Sequence, residues 1–163
     1  VVTVSVSQPV ASDHQLARLL QIGVVLEEVV EARAHQHSQS FETDLDREIE
    51  ELLEHAAEES AEHRDRLAAL IDELDAEQIP FDQIEPLVAD HYERDRDTDG
   101  VLYDQLCNEE TAYKFYDDLI AAIEASTGEF GIERERLVGT LSTIREEEAE
   151  GAEEVTKLME ERE

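Results

Sequence analysis

Residues 49–74 read IEELLEHAAEESAEHRDRLAALIDEL, and this stretch decides the fold. Ile49, Leu53, Ala56, Ser60, His63, Leu67, Leu70 and Leu74 step by four and three throughout, so they line one narrow face of a long helix. Acids and arginines take most of the remaining positions, which makes that stripe the seam of a helix bundle and most of the rest a solvated surface.

The same stepping recurs on both sides of this segment. Leu16, Leu20, Gly23, Glu27, Val30, Ala34 and His37 precede it. Leu102, Leu106, Glu109, Tyr113, Tyr116, Ile120 and Ile123 follow, and then Leu137, Leu141, Ile144, Glu148, Gly151, Val155 and Leu158. Ser12-Asp13-His14-Gln15 has the pattern of a capping box opening helix 1, which is expected to run to about Gln39. Helix 2 is expected from the polar break Ser40–Asp46 to about Glu77, helix 3 from Val101 to Ser126, and helix 4 from Ile132 to the end. Gly128 and Gly131 bracket the last turn, whereas Pro80, Pro86 and the charged turn Arg94–Gly100 mark a long connection with a short helix over Phe81–Tyr92. A short loop, a long crossover and a short loop predict an all-α, antiparallel four-helix bundle with ferritin-like connectivity, its one long crossover lying between helices 2 and 3. Residues 1–11 are expected as an extended arm and 12–163 as the single bundle domain.

Asp and Glu number 44 against 13 Lys and Arg, a formal net charge of −31. Such a surface repels the phosphate backbone and anionic lipid, so neither nucleic acid nor membrane is an expected partner. Only Lys114 and Lys157 are lysines, and 40% of the chain is hydrophobic, so this is a folded acidic domain of the kind a salt-in halophile makes, haloarchaeal in character. Cys107 is the only cysteine, which excludes a disulfide framework or a four-cysteine metal site within the chain. The apolar run Ile22–Leu26 is far too short to span a bilayer, and a cytoplasmic location is expected.

Glu27, Glu109 and Glu148 are the only acids on the four stripes, one on each of three helices, and His63 lies on the fourth. Glu27 and Ser60 are equidistant from a point inside the Ser40–Asp46 break, and Glu109 and Glu148 from a point inside the Gly128–Gly131 turn. Antiparallel pairing therefore puts Glu27 level with Ser60, one turn from His63, and Glu109 level with Glu148. Glu31, one turn beyond Glu27, is the second choice on helix 1. Inward carboxylates and imidazoles at one level of a bundle suit a di-iron or di-manganese centre.

With these residues the chain resembles the ferritin-like superfamily, nearest to rubrerythrins and bacterioferritins. The resemblance is carried by Glu59-Ser60-Ala61-Glu62-His63, by Glu109-Glu110-Thr111-Ala112-Tyr113-Lys114-Phe115-Tyr116 and by Glu147-Glu148-Ala149-Glu150-Gly151. The family pattern has Glu-x-x-His twice; this chain has Ser60-x-x-His63 and Glu148-x-x-Gly151, so each half keeps one ligand. Setting Ala57–Leu74 against Arg145–Arg162 aligns the two halves. The resemblance implies a metal site of Glu27 or Glu31, His63, Glu109 and Glu148, with Glu59 available to replace the missing carboxylate. It implies iron, one or two ions, or manganese, reacting with dioxygen or peroxide as a ferroxidase or peroxidase would. A homo-oligomer and an external electron donor go with that reading. The alternative is a ferritin-like scaffold whose centre has decayed and which serves in assembly or docking. Tyr113 and Tyr116 are expected as core aromatics, and His55, off the seam, as a surface residue.

Overall fold

The computed structural model describes residues 9–39, 47–74, 76 and 100–162; the side chains of 35–39 are also left aside. The expected arm over 1–8, the short helix Phe81–Tyr92 and the His37 side chain lie outside the described residues. Four helices account for nearly all of the remainder: α1 (Asp13–Gln39), α2 (Arg47–Glu73), α3 (Val101–Glu124) and α4 (Arg134–Glu161). α1 packs along α2 and α3 along α4, and the two hairpins meet through α1 against α3 and α2 against α4.

Contacts at one end of the bundle fix the directions. Val10 N–H donates to Ser126 Oγ at 2.8 Å, Gly131 N–H donates to the Asp13 carboxylate at 3.0 Å, and Arg136 pairs with Glu73. The start of α1, the end of α2, the end of α3 and the start of α4 thus share that end, so every neighbouring pair is antiparallel. α2 finishes there and α3 begins at the opposite end, which requires a crossover of the bundle's length, about 40 Å for 27 residues at 1.5 Å each. The expected fold is the observed one: an all-α antiparallel four-helix bundle with one long crossover.

Local chemistry sets the helix ends. Ser12 Oγ accepts the Gln15 N–H at 3.2 Å, while Gln15 Oε1 reaches past the cap to accept the Ala11 N–H at 2.7 Å. α2 stops at Glu73, four residues before the expected Glu77, because Leu74 N–H turns back to Ile71 O and its side chain is buried. α3 stops at Glu124, where Ser126 donates through its hydroxyl to Ala122 O and Arg134 donates to Ile123 O and Gly128 O. α4 starts at Arg134, because Ile132 is spent as a buried anchor before the helix. Gly100 precedes α3 at φ 117° and ψ 170°, a conformation open essentially to glycine alone.

The main core fills the half of the bundle nearest this end, built from Leu16, Leu20, Leu67, Phe115, Leu119, Ile123, Leu137, Leu141 and Ile144. A smaller cluster, Ala34, Leu53 and Ala57, closes the other half. Between them lies a polar layer. On α3 the buried face is rotated from the expected stripe: Tyr113 is 37% exposed, and Asp104, Gln105, Asn108, Ala112 and Phe115 turn inward. The rotation is tolerated because two of those polar groups find partners, Asp104 with Arg33 and Gln105 with Glu109.

Candidate metal centre

Each helix delivers one group to the polar layer. Glu27 (α1) and His63 (α2) are fully buried, and Glu109 (α3) and Glu148 (α4) nearly so. His63 Nδ1 lies 3.0 Å from Glu148 Oε1 and 3.4 Å from Glu27 Oε1. The Glu109 and Glu148 carboxyls lie close enough to interact with each other. Tyr116 O–H donates to Glu27 Oε1 at 2.6 Å, and Gln105 Nε2 donates to Glu109 Oε1 at 3.0 Å. Tyr116 is therefore a core aromatic as expected, and its hydroxyl also orients a carboxylate.

Burial governs the electrostatics. It pushes the Glu148 carboxyl well above the usual range, and the neighbouring Glu27 and Glu109 carboxyls push the same way. Burial likewise raises Glu109. For His63 burial acts downward, but the Glu27 hydrogen bond and the surrounding carboxylates outweigh it and hold the imidazole above its ordinary value. No arginine or lysine among the described residues pairs with Glu27, Glu109 or Glu148, so protons alone offset the crowding of negative charge.

One ligand atom each from Glu27, His63 and Glu148 lies within 4.8 Å of the others, a spacing that can hold a metal ion. Glu27 Oε2 is buried without a hydrogen-bond partner. A buried orphan acceptor beside an imidazole and two further carboxylates fits a hard or borderline divalent cation, which would meet oxygen and nitrogen donors together. Glu109 joins this layer through Glu148.

The other expected ligands are placed differently. The Glu31 carboxylate is held by Arg64, outside the Glu27/His63/Glu148 group. Glu59 lies on the other side of the imidazole, in a second group with His63 and Glu147. There His63 Nε2 is 3.5 Å from Glu147 Oε2, Arg66 donates to Glu147 Oε1 at 2.7 Å, and His55 Nε2 is 3.5 Å from Glu59 Oε2. Burial, with Glu109 and Glu147 adding to it, pushes the Glu59 carboxyl up to about 7 against the opposing pull of His63. The space left at Gly151 is already used. A Cβ at Gly151 would fall 2.7 Å from the Glu109 carboxyl carbon, so the glycine admits Glu109 and is not a vacant histidine position.

Gln105 and Glu147 were not among the sequence candidates. Gln105 had a signal, since it precedes Glu109 by four residues and so shares its face. Glu147 had the same kind of signal, four residues before Gly151 and three after Ile144, but its place beside His63 comes from the approach of α4 to α2.

Fold and site together define a class: a four-helix bundle with a buried carboxylate–imidazole group that can bind metal. No protein-family model, curated protein or solved structure matches the chain.

Proposed function

We propose that this chain is a ferritin-like metal-carboxylate protein that binds iron, or manganese on the same donors, within the bundle core and oxidises it with dioxygen or peroxide. The observation that carries the reading is the convergence of Glu27, His63 and Glu148 from three helices on one buried point, with Glu109 close to Glu148. Without a cation that arrangement is costly, because buried carboxylates must hold protons or repel.

In this reading Glu27, His63 and Glu148 hold the ion and Glu109 is the reserve carboxylate. The metal would supply one-electron chemistry toward an oxygen-containing oxidant. The chain's own residues set the conditions. Tyr116 fixes Glu27 through Oε1 and leaves Oε2 without a partner, and Gln105 orients Glu109 through its Oε1. Burial favours the protonated forms of Glu109 and Glu148, and a bound cation would compete with those protons. The two apolar clusters above and below exclude bulk water.

Metal content after purification in high salt tests this, by plasma mass spectrometry on wild type and on the Glu109→Ala, Glu148→Ala double variant. Wild type is expected to carry close to one iron or manganese ion per chain and the variant to lose most of it. Equal background levels in both would favour the second reading, a scaffold without metal. Ser60 speaks for that reading, since it stands where the resemblance puts Glu.

A further inference from the structure

His63 touches acidic groups through both ring nitrogens, and only one of those nitrogens serves the centre described above. Its Nδ1 faces Glu27 and Glu148, while Nε2 is buried without a hydrogen-bond partner on the side of Glu59 and Glu147. We propose that Glu59, Glu147 and His63 Nε2 form a second, outer site for a divalent cation on the α2/α4 face, from which the ion is handed to the inner group. This rests on the metal-binding reading of the inner group and adds its loading route.

The placement carries the proposal. One ligand atom from each of the three residues lies within 4.8 Å of the others. Glu59 and Glu147 are partly exposed and His63 is fully buried, so the group joins solvent to the core. Arg66 ties up Glu147 Oε1 and leaves Oε2 turned toward the ring. A pocket of about 30 Å³ lies here, lined by Glu59, Glu109, Glu147 and Gly151 among others. It reaches Glu109 where Gly151 lacks a side chain.

The shared ring then sets the stoichiometry. A neutral imidazole offers one free lone pair, so it ligates through Nε2 or Nδ1 and not through both. The two sites are alternatives, occupied in turn by one ion. Arg66 offsets part of the outer charge, and no arginine or lysine among the described residues pairs with the inner carboxylates, so the inner site is the tighter one.

Co²⁺ alone is the probe, followed by its visible absorption in stopped flow and by equilibrium titration in high salt. Wild type should take up one Co²⁺ per chain. The Glu59→Gln, Glu147→Gln variant should reach the same stoichiometry about tenfold more slowly, because the charge that gathers the cation at the mouth is gone. The Glu59→Gln single variant, which leaves the Arg66 contact in place, should also load more slowly. The Glu27→Gln, Glu148→Gln variant should still bind one Co²⁺, more weakly and with fast release. Wild-type loading rates in both outer variants would overturn the proposal, as would two ions bound at once in wild type. If those results came with Co²⁺ binding that only the inner variant loses, the metal-binding reading would stand without the loading route. No Co²⁺ bound by wild type would overturn both.

Discussion

Placing a methyl group at position 151 separates a helix's own preference from what the centre requires. In an exposed helix interior, Gly→Ala stabilises by about 1 kcal/mol. Gly139, on the same helix, is the reference, since a Cβ there meets nothing within 4 Å. At Gly151 the same Cβ falls 2.7 Å from Glu109 Cδ and Oε2, whereas ordinary contact begins at 3.4 Å. The Glu109 carboxylate must therefore retreat by about 0.7 Å, the difference between those two distances. It moves off the Gln105 amide, now at 3.0 Å, and off Glu148. Losing a hydrogen bond to a charged group costs about 1.5–3 kcal/mol, which outweighs the helix gain. Gly151→Ala should thus be destabilised by about 1 kcal/mol, or ~2–4 °C in Tm for a chain of this size, while Gly139→Ala gains a similar amount. The assay is thermal unfolding by circular dichroism on metal-free protein in high salt. In a Glu109→Ala background the clash disappears, and adding Gly151→Ala should then stabilise as it does at position 139. Equal gains at 151 and 139 in the wild-type background would refute the packing of Glu109 against Gly151.

Salt and pH supply the remaining tests. With a net charge of −31, the thermal midpoint should rise steeply between about 0.1 and 2 M KCl as surface repulsion is screened, and a flat curve would remove the halophilic reading of the composition. Because the Glu59 carboxyl is raised to about 7 in the fold from an ordinary 4.5, its contribution to stability is complete below pH 4.5 and is lost as pH rises through 7. Metal-free wild type should accordingly lose more stability than Glu59→Gln between pH about 5 and 8, and parallel curves would contradict the burial of that carboxyl.

Four helices, and the faces that α1, α2 and α4 bury, were legible along the chain; the ends of α2, α3 and α4 fell two to four residues from their expected places. Stepping by three and four is a local property, set by the helical repeat, and a narrow apolar stripe has few ways to leave water. Glu27, His63, Glu109 and Glu148 were legible for the same reason: polar groups at seam positions stand out against leucine and alanine. Their levels within each hairpin followed from distances to the two short turns, because neighbouring antiparallel helices rise equally per residue.

The tertiary structure decided what those groups touch. The rotation of α3 that exposes Tyr113 and buries Gln105 depends on Arg33 and Glu109 as partners, which stripe counting does not contain. Glu31, the second choice on helix 1, pairs with Arg64 across α1 and α2, a contact that the stripe does not contain. Gly151 read as a lost histidine and is instead the space that admits Glu109. Glu147 reaches His63 only because α4 lies against α2. Apart from the Gln105–Glu109 bond along α3, the deciding contacts join residues on different helices, and their geometry comes from how side chains interlock across the bundle, to which a period along one helix is blind.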